Sequence, residues 1–501
     1  MTTHADPSYP TTSVRPIDAT QAPPTTVLGI LARLGPGLII AASIVGSGEL
    51  IATTKTGADA GFSLLWLIII GCVIKVFVQI EFGRYTITEG RTTMEAINQI
   101  QPKLGVSWMI WYWAFMFLAG LGQLGGIVGG VGQALAITFP TEHGFAAHLA
   151  AGTQPPSFSG LADLNWATLS AVLRSDDVLW SIGVTVITAV MLVVGRYRLV
   201  QNVATVLVAG FTAVTVFDVV ALPWFSQTQF AWGDVFRGLM PQLPESREGM
   251  RPLATALATF GIIGVGANEL IAYPYWCIEK GYAQFTGPRD DTVAWAARAR
   301  GWLRVMRWDA VCSLLVYTLA TVAFYLLGAA VLNPRGLSPS GNQLIETLAV
   351  MYHEVFYPWG NYVFLFGAFA VLYSTFFVAI AGHARVVSDV VQIVSRREAD
   401  EARRVRLVKF FSALFPFLSL ACYIFYRDPG GLVLLSGFMQ TLMLPMLGGA
   451  TLYFRYRRCD PRLAPSRVWD AMLWLSFLGL LVAGLWAAGQ EVARLLSHLM
   501  H

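Results

Sequence analysis

The sequence predicts an all-α polytopic membrane protein made of two inverted five-helix repeats with an eleventh helix appended. Three observations predict it. Hydrophobic residues make up 55% of the chain and charged residues only 13%, against roughly 25% charged in a typical soluble domain, and the mean hydropathy is +0.58. Apolar runs near the ~20 residues needed to cross a ~30 Å hydrocarbon core recur along the whole length. An eight-residue motif in the first such run returns about 220 residues later, in the sixth.

Taken in order, the first 28 residues are rich in Thr and Pro and contain no apolar core segment. They read as a disordered cytoplasmic tail rather than a cleaved signal peptide. Breaks at charge and Pro clusters then divide the chain into helices near Leu34–Thr53, Phe62–Tyr85, Trp108–Phe139, Val178–Val194, Val203–Trp224 and Leu253–Ile278. Five more follow near Arg307–Leu332, Tyr362–Val391, Val408–Tyr426, Leu432–Tyr456 and Val468–Ala488. This organisation gives a first repeat over 29–224, an outer loop over 225–252, a second repeat over 253–456, and an extra helix with the C-terminus over 457–501.

Lys and Arg sort by loop. One set of loops collects Arg84, Arg91, Lys103, Arg196, Arg198, Lys280 to Arg307, Arg396 to Lys409 and Arg455 to Arg467. The other set holds scattered cations such as Arg174, Arg247, Arg335 and Arg427. The positive-inside rule then places the N-terminus in the cytoplasm and the C-terminus outside, in a membrane such as the bacterial inner (plasma) membrane. The net charge of +4 is not gathered into a groove-sized patch, so no nucleic-acid partner is implied. Cys72, Cys277, Cys312, Cys422 and Cys459 lie far apart, mostly in apolar runs, and read as small hydrophobes rather than disulfides or metal ligands.

The repeated motif carries the functional signal. Val45-Gly46-Ser47-Gly48-Glu49-Leu50-Ile51-Ala52 and Val265-Gly266-Ala267-Asn268-Glu269-Leu270-Ile271-Ala272 agree at six of eight positions. Five spans separate their starts, so the two helices run in opposite directions, the pattern of an inverted repeat. Gly46, Gly48 and Gly266 permit dihedrals that break a helix, and unpaired backbone groups at membrane depth are tolerated where they line a cavity or meet a ligand. Two broken helices meeting near the midplane thus predict a binding site, although small residues also serve close helix packing.

Glu49 and Glu269 are the sharpest candidates, because an acidic residue near a helix centre costs roughly 2.5–3.5 kcal/mol to insert. Two facing carboxylates bind a cation or share a proton; the competing reading is a pair of protonated acids bonded to unwound backbone. Lys75 and Glu81 lie in the second helix. Lys75 is expected to partner a carboxylate of a neighbouring helix or to snorkel. Asp218 and Asp309, near helix ends, suit capping or an ion pair, and His383 carries little weight alone. No Walker-type loop, nucleophile elbow or Cys/His metal cluster is present. The chain is therefore not read as an enzyme or an ATP-driven pump, and no cofactor is implied.

At these motifs, from about Gly35 to Tyr456, the chain resembles the Nramp (natural resistance-associated macrophage protein) family of divalent-metal transporters. The resemblance rests on Gly35-Pro36-Gly37, Gly61 to Trp66, Gln79, Arg84, Arg307-Trp308-Asp309, Ser374, Ala381-Gly382, Arg406, Pro416 and Leu444-Pro445. It implies the LeuT-type fold with substrate held at the two motifs, here Gly46, Ser47, Gly48, Glu49, Gly266, Ala267, Asn268 and Glu269; the reading of the residues themselves puts a metal at Glu49 and Glu269, with Gln123 and Gln440 as accessories.

The signatures themselves depart from the family. Its Asp-Pro-Gly-Asn falls on Gly46-Ser47-Gly48-Glu49 and its Met-Pro-His-Asn on Val265-Gly266-Ala267-Asn268. The metal-binding aspartate, the methionine sulfur and the histidine are thus replaced, and only Asn268 is kept. The helix-three carboxylates fall on Gln123 and Gly126, and the helix-ten glutamine on Gly437, with Gln440 nearby. Loss of the thioether removes a preference for softer metals, and the remaining oxygens suit Mg²⁺ or Ca²⁺, with Mn²⁺ the family's own class of cargo. The expected function is secondary transport of a divalent cation by alternating access, with the lipid bilayer and the cation as partners and no protein partner evident. An organic cation or other metabolite on the same scaffold, or a non-transporting membrane sensor or scaffold, are the alternatives.

Overall fold

A computed structural model describes residues 19–141, 144–158, 165–195, 197–225, 231–244, 251–396 and 401–499. Among these, ten helical runs are long and apolar enough to cross a membrane. The first, Pro36–Glu89, has 54 residues, about 80 Å of helix at 1.5 Å per residue, more than twice the hydrocarbon thickness. It reverses at Gly61, whose φ of +59° suits glycine, so it makes two crossings and the total is eleven.

The first crossing is α1 (Pro36–Ile44), a π-helical segment (Val45–Thr53) and α2 (Thr54–Ala60). The second is α3 (Leu65–Glu89), closed by Gly90 in the left-handed region. A hairpin of two-residue strands, β1 (Lys103–Leu104) and β2 (Val106–Ser107), leads into α4 (Trp108–Thr138). Then come α5 (Asp176–Val194) and α6 (Tyr197–Phe225). The sixth crossing is split into α7 (Pro252–Ile262) and α8 (Ala267–Glu279), and α9 (Val293–Leu327) follows. Next is α10 (Leu344–Phe356), which lies between the spans expected from the apolar runs. The chain ends with α11 (Gly360–Ser395), α12 (Glu401–Phe425), α13 (Pro429–Arg457) and α14 (Arg467–Leu499).

Burial separates core helices from lipid-facing ones. The most apolar window of the α7–α8 run is 94% buried, whereas those of α12 and α14 are each 33% buried. The split helix therefore lies in the core, packed against α13, α3, α11 and the first crossing. The eleventh helix docks through buried polar contacts: the Trp469 indole N–H donates to Glu81 Oε1 (2.6 Å), and Arg84 bonds both Glu81 and the Leu463 carbonyl.

Two expectations need correction. The tail is not loose chain throughout: residues 1–18 lie outside the described residues, but the segment after them is docked. Gln21 N–H donates to the Phe285 carbonyl (3.0 Å), the Trp302 indole donates to the Gln21 carbonyl (3.0 Å), and Pro23 lies against Gly301. A proline-rich strand with its polar backbone satisfied by a neighbour needs no apolar run to be ordered. The first helix, moreover, does not break at its glycines. It stays wound in i→i+5 turns through the motif, and neither Gly46 nor Gly48 has positive φ.

Candidate functional site

The two copies of the motif meet at the centre of the bundle with different backbones. The second copy breaks as expected. Ile263 is extended (φ −69°, ψ 154°), Gly264 is left-handed (φ +58°), and Gly266 is extended (φ −64°, ψ 167°) before α8 begins. The residue that requires glycine's freedom is Gly264, one position ahead of the motif. A Cβ there would also lie 3.0 Å from the Cys72 Cα. The first copy is the π-helical segment, a winding frequent at functional sites. Its glycines allow close approach: a Cβ on Gly46 would sit 2.4 Å from Thr375 Oγ1, and one on Gly48 3.0 Å from the Ile262 carbonyl oxygen. Gly46 N–H donates to Thr375 Oγ1 (3.0 Å).

Glu49 is fully buried. Its Oε1 accepts from the Gly264 N–H (3.2 Å) and from the Thr321 hydroxyl (2.9 Å), so it reaches across to both the helix break and α9. Among the described residues its Oε2 has no hydrogen-bond partner, and neither does the buried Tyr317 hydroxyl one turn from Thr321. Buried polar atoms without a partner call for an explanation, and a ligand is one. Glu269 sits in the first turn of α8, and its Oε2 occupies the space where a Gly266 Cβ would project (2.4 Å). The two carboxylates thus flank residues 264–266. They are not hydrogen-bonded to each other.

A belt of neutral polar groups closes the site on the other side. Gln123 Nε2 on α4 donates to Ser47 Oγ (2.9 Å), and Gln123 Oε1 accepts from Ser436 Oγ (3.0 Å) and Gln440 Nε2 (2.8 Å) on α13. Gln440 Oε1 in turn accepts from the Asn268 N–H (3.2 Å). The accessory residues Gln123 and Gln440 are therefore brought together, and they join the first crossing to α8 through α4 and α13. The Asn268 side-chain amide lies by Gly120, near the His383 ring. Ala267 contributes backbone only. Gly126 and Gly437 mark close helix packing, against the Pro429 and Ala258 carbonyls.

Lys75 corrects an expectation. It neither snorkels nor pairs directly with a carboxylate. It is fully buried, and its ammonium donates to the carbonyls of Phe260, in the last turn of α7, and Ile263, the first residue of the break (the latter at 2.7 Å). Asp309 caps, but across the fold, receiving the N–H groups at the start of α1. Asp218 is fully buried, and among the described residues neither of its oxygens has a partner, so it is neither a cap nor half of an ion pair there.

Sequence reasoning missed Gly264, Thr321, Tyr317, Thr375 and Ser436. A signal for some of them was present. Tyr317/Thr321 and Ser436/Gln440 are polar pairs at i,i+4 spacing in apolar helices, each marking one face. Among the described residues no group of three His, Cys, Asp or Glu side chains could hold a metal. A cation here would be held by two carboxylates with hydroxyl, amide and carbonyl oxygens, a hard-oxygen set.

Comparison with known proteins agrees with this architecture. The chain is 22% identical over 456 residues to the uncharacterized protein PM0681 of Pasteurella multocida, covering 90% of this chain and 89% of that one. It is 30% identical to the metal transporter Nramp6.2 of Populus trichocarpa, over only 81 residues, 15% of that protein. Crystal structures of a manganese transporter from Eremococcus coleocola superpose with a TM-score of 0.64 at 16% identity, over 95% of this chain and 91% of that one. The nucleobase-cation-symport-1 transporter Mhp1, facing inward, gives 0.51 at 15% identity over 92% and 90%. The fold is therefore the LeuT type. A family model described as natural resistance-associated macrophage protein-like matches residues 37–488, most of the length, and the chain belongs to the Nramp family.

Proposed function

We propose that this membrane transporter carries a divalent metal cation between Glu49 and Glu269, by alternating access around the α7–α8 break. The observation that carries the reading is the fully buried Glu49 carboxylate, bonded through one oxygen to the break and left unpartnered at the other. An intramembrane acid is expensive and is usually functional. Glu269, Ser47, Asn268 and backbone oxygens complete a hard donor set, which favours Mg²⁺, Ca²⁺ or Mn²⁺ over softer metals. Replacement of the helix-three acids by Gln123 and Gly126 removes the proton carriers the resemblance implies there. The cation sorting of the loops supports a cytoplasmic N-terminus, an external C-terminus and a plasma-membrane location.

Uptake of Mg²⁺, Ca²⁺ and Mn²⁺ into proteoliposomes tests the proposal. Saturable uptake of at least one ion is expected, with loss of ten-fold or more in both Glu49→Gln and Glu269→Gln. Wild-type uptake no greater than that of empty liposomes, or unchanged uptake in both variants, would reject it.

A further inference from the structure

The group that actually sits on the helix break is the side chain of Lys75. It lies near the middle of the 25-residue α3, about 15–20 Å from either end at 1.5 Å per residue. That is too far for its stem to carry the charge to an interface. Its ammonium donates to Phe260 and Ile263, whose carbonyls lie at the C-terminal end of α7 and have lost helical partners because the chain unwinds beyond Ile262. Such an end carries the negative pole of the helix. Glu49 and Glu269 both lie within electrostatic reach of the ammonium, and only two of its three N–H donors are used.

Exposed half-helix carbonyls beside a carboxylate are the surroundings in which transporters with broken helices hold a small monovalent cation. Here a covalently attached cation fills them. We propose that Lys75 is a tethered counter-cation that occupies a monovalent-cation site at the α7–α8 break, making the transport cycle independent of free Na⁺ or K⁺. With both carboxylates ionised, as when a metal ion is bound between them, one ammonium leaves the pair a formal charge of −1. Without Lys75 the site would hold two bare carbonyls beside two carboxyl groups, and a small cation would enter. The inference rests on the break being the transport site.

The test uses the full-length protein in detergent and compares wild type with Lys75→Ala and Lys75→Met. Thermal unfolding is followed while N-methylglucamine chloride is replaced, at constant ionic strength, by NaCl, KCl, NH₄Cl or methylammonium chloride. Wild type is expected to show no cation-selective shift. Both variants should melt lower and recover half or more of the lost Tm with at least one small cation. A Na⁺- or K⁺-selective shift in wild type, or folded variants that respond to no small cation, would overturn the proposal. If neither variant folds, wild-type divalent uptake with Na⁺ and K⁺ replaced decides it: dependence on either ion overturns it and independence supports it. The melting readout needs no metal transport, so failure of the divalent-uptake experiment and failure of this one are distinguishable.

Discussion

The Asp309 carboxylate on α9 receives the backbone N–H groups of Gly35 (2.8 Å) and Gly37 (2.5 Å), one to each oxygen. The Tyr273 hydroxyl of α8 donates to the same group (3.2 Å). One buried side chain therefore caps the first turn of α1 and ties it to α8 and α9 of the second repeat. Asp309→Ala should cost about 1.5–3 kcal/mol for each charged hydrogen bond removed, with Asp309→Asn losing less. Hydrogen exchange at the Gly35 and Gly37 amides checks the mechanism. Unchanged protection in Asp309→Ala would show that the cap is not what holds α1.

Gly46 is a packing requirement. A Cβ would meet Thr375 Oγ1 and, at 2.8 Å, the Val371 carbonyl oxygen, which belongs to the backbone of α11 and cannot rotate away. Gly46→Ala should destabilise by about 1–3 kcal/mol, and Thr375→Ala in the same chain should rescue it only in part. Gly183, in α5 with open space around it, is the control. There, alanine should be neutral or stabilising by up to about 1 kcal/mol. Thermal melts of the three variants decide the matter, and equal effects at both glycines would contradict it.

The belt from Ser47 through Gln123 to Ser436 and Gln440 should behave as a unit. Gln123→Ala leaves three buried polar groups short of a partner, and Gln440→Ala leaves Gln123 and the Asn268 N–H short. A double-mutant cycle on stability or on divalent uptake is expected to give a coupling of about 0.5–3 kcal/mol. Additive losses would mean that the two glutamines act separately.

At the other end of α4, the Arg427 guanidinium pairs with Asp177 at the start of α5, and the Tyr423 hydroxyl donates to the same carboxylate (2.6 Å); both charged groups are nearly inaccessible. Arg427→Met should cost about 3–5 kcal/mol, because it strands a buried charge. Arg427→Met with Asp177→Asn should lose less, since the amide still accepts from Tyr423. A double variant that melts lower than the single would refute this.

Much of the fold was legible because bilayer crossing leaves a long, coarse signal: apolar runs, loop cations and a repeated octapeptide. The choice of Glu49, Glu269, Gln123 and Gln440 followed from polarity in an apolar context, and the structure gathers all four around residues 264–268. What was not legible depends on partners far away in sequence. Whether Lys75 would reach an interface, a carboxylate or a carbonyl depends on where α7 ends. Whether Gly46 serves dihedral freedom or close approach depends on Thr375, more than 300 residues away. The orphaned Asp218 had no local sign to separate it from Asp309.

The repeated octapeptide has one more implication. Six shared residues of eight are wound as a π-helix in one half and opened into a turn and a fresh helix in the other. The segment is a chameleon, with no strong shape preference of its own. Its form is imposed by Thr375 and Gln123 on one side and by Lys75 and Gln440 on the other. Exchanging Ser47-Gly48 with Ala267-Asn268 should therefore leave each half near its present winding. The chain carries two nearly equivalent strings, and the surrounding scaffold winds one and opens the other.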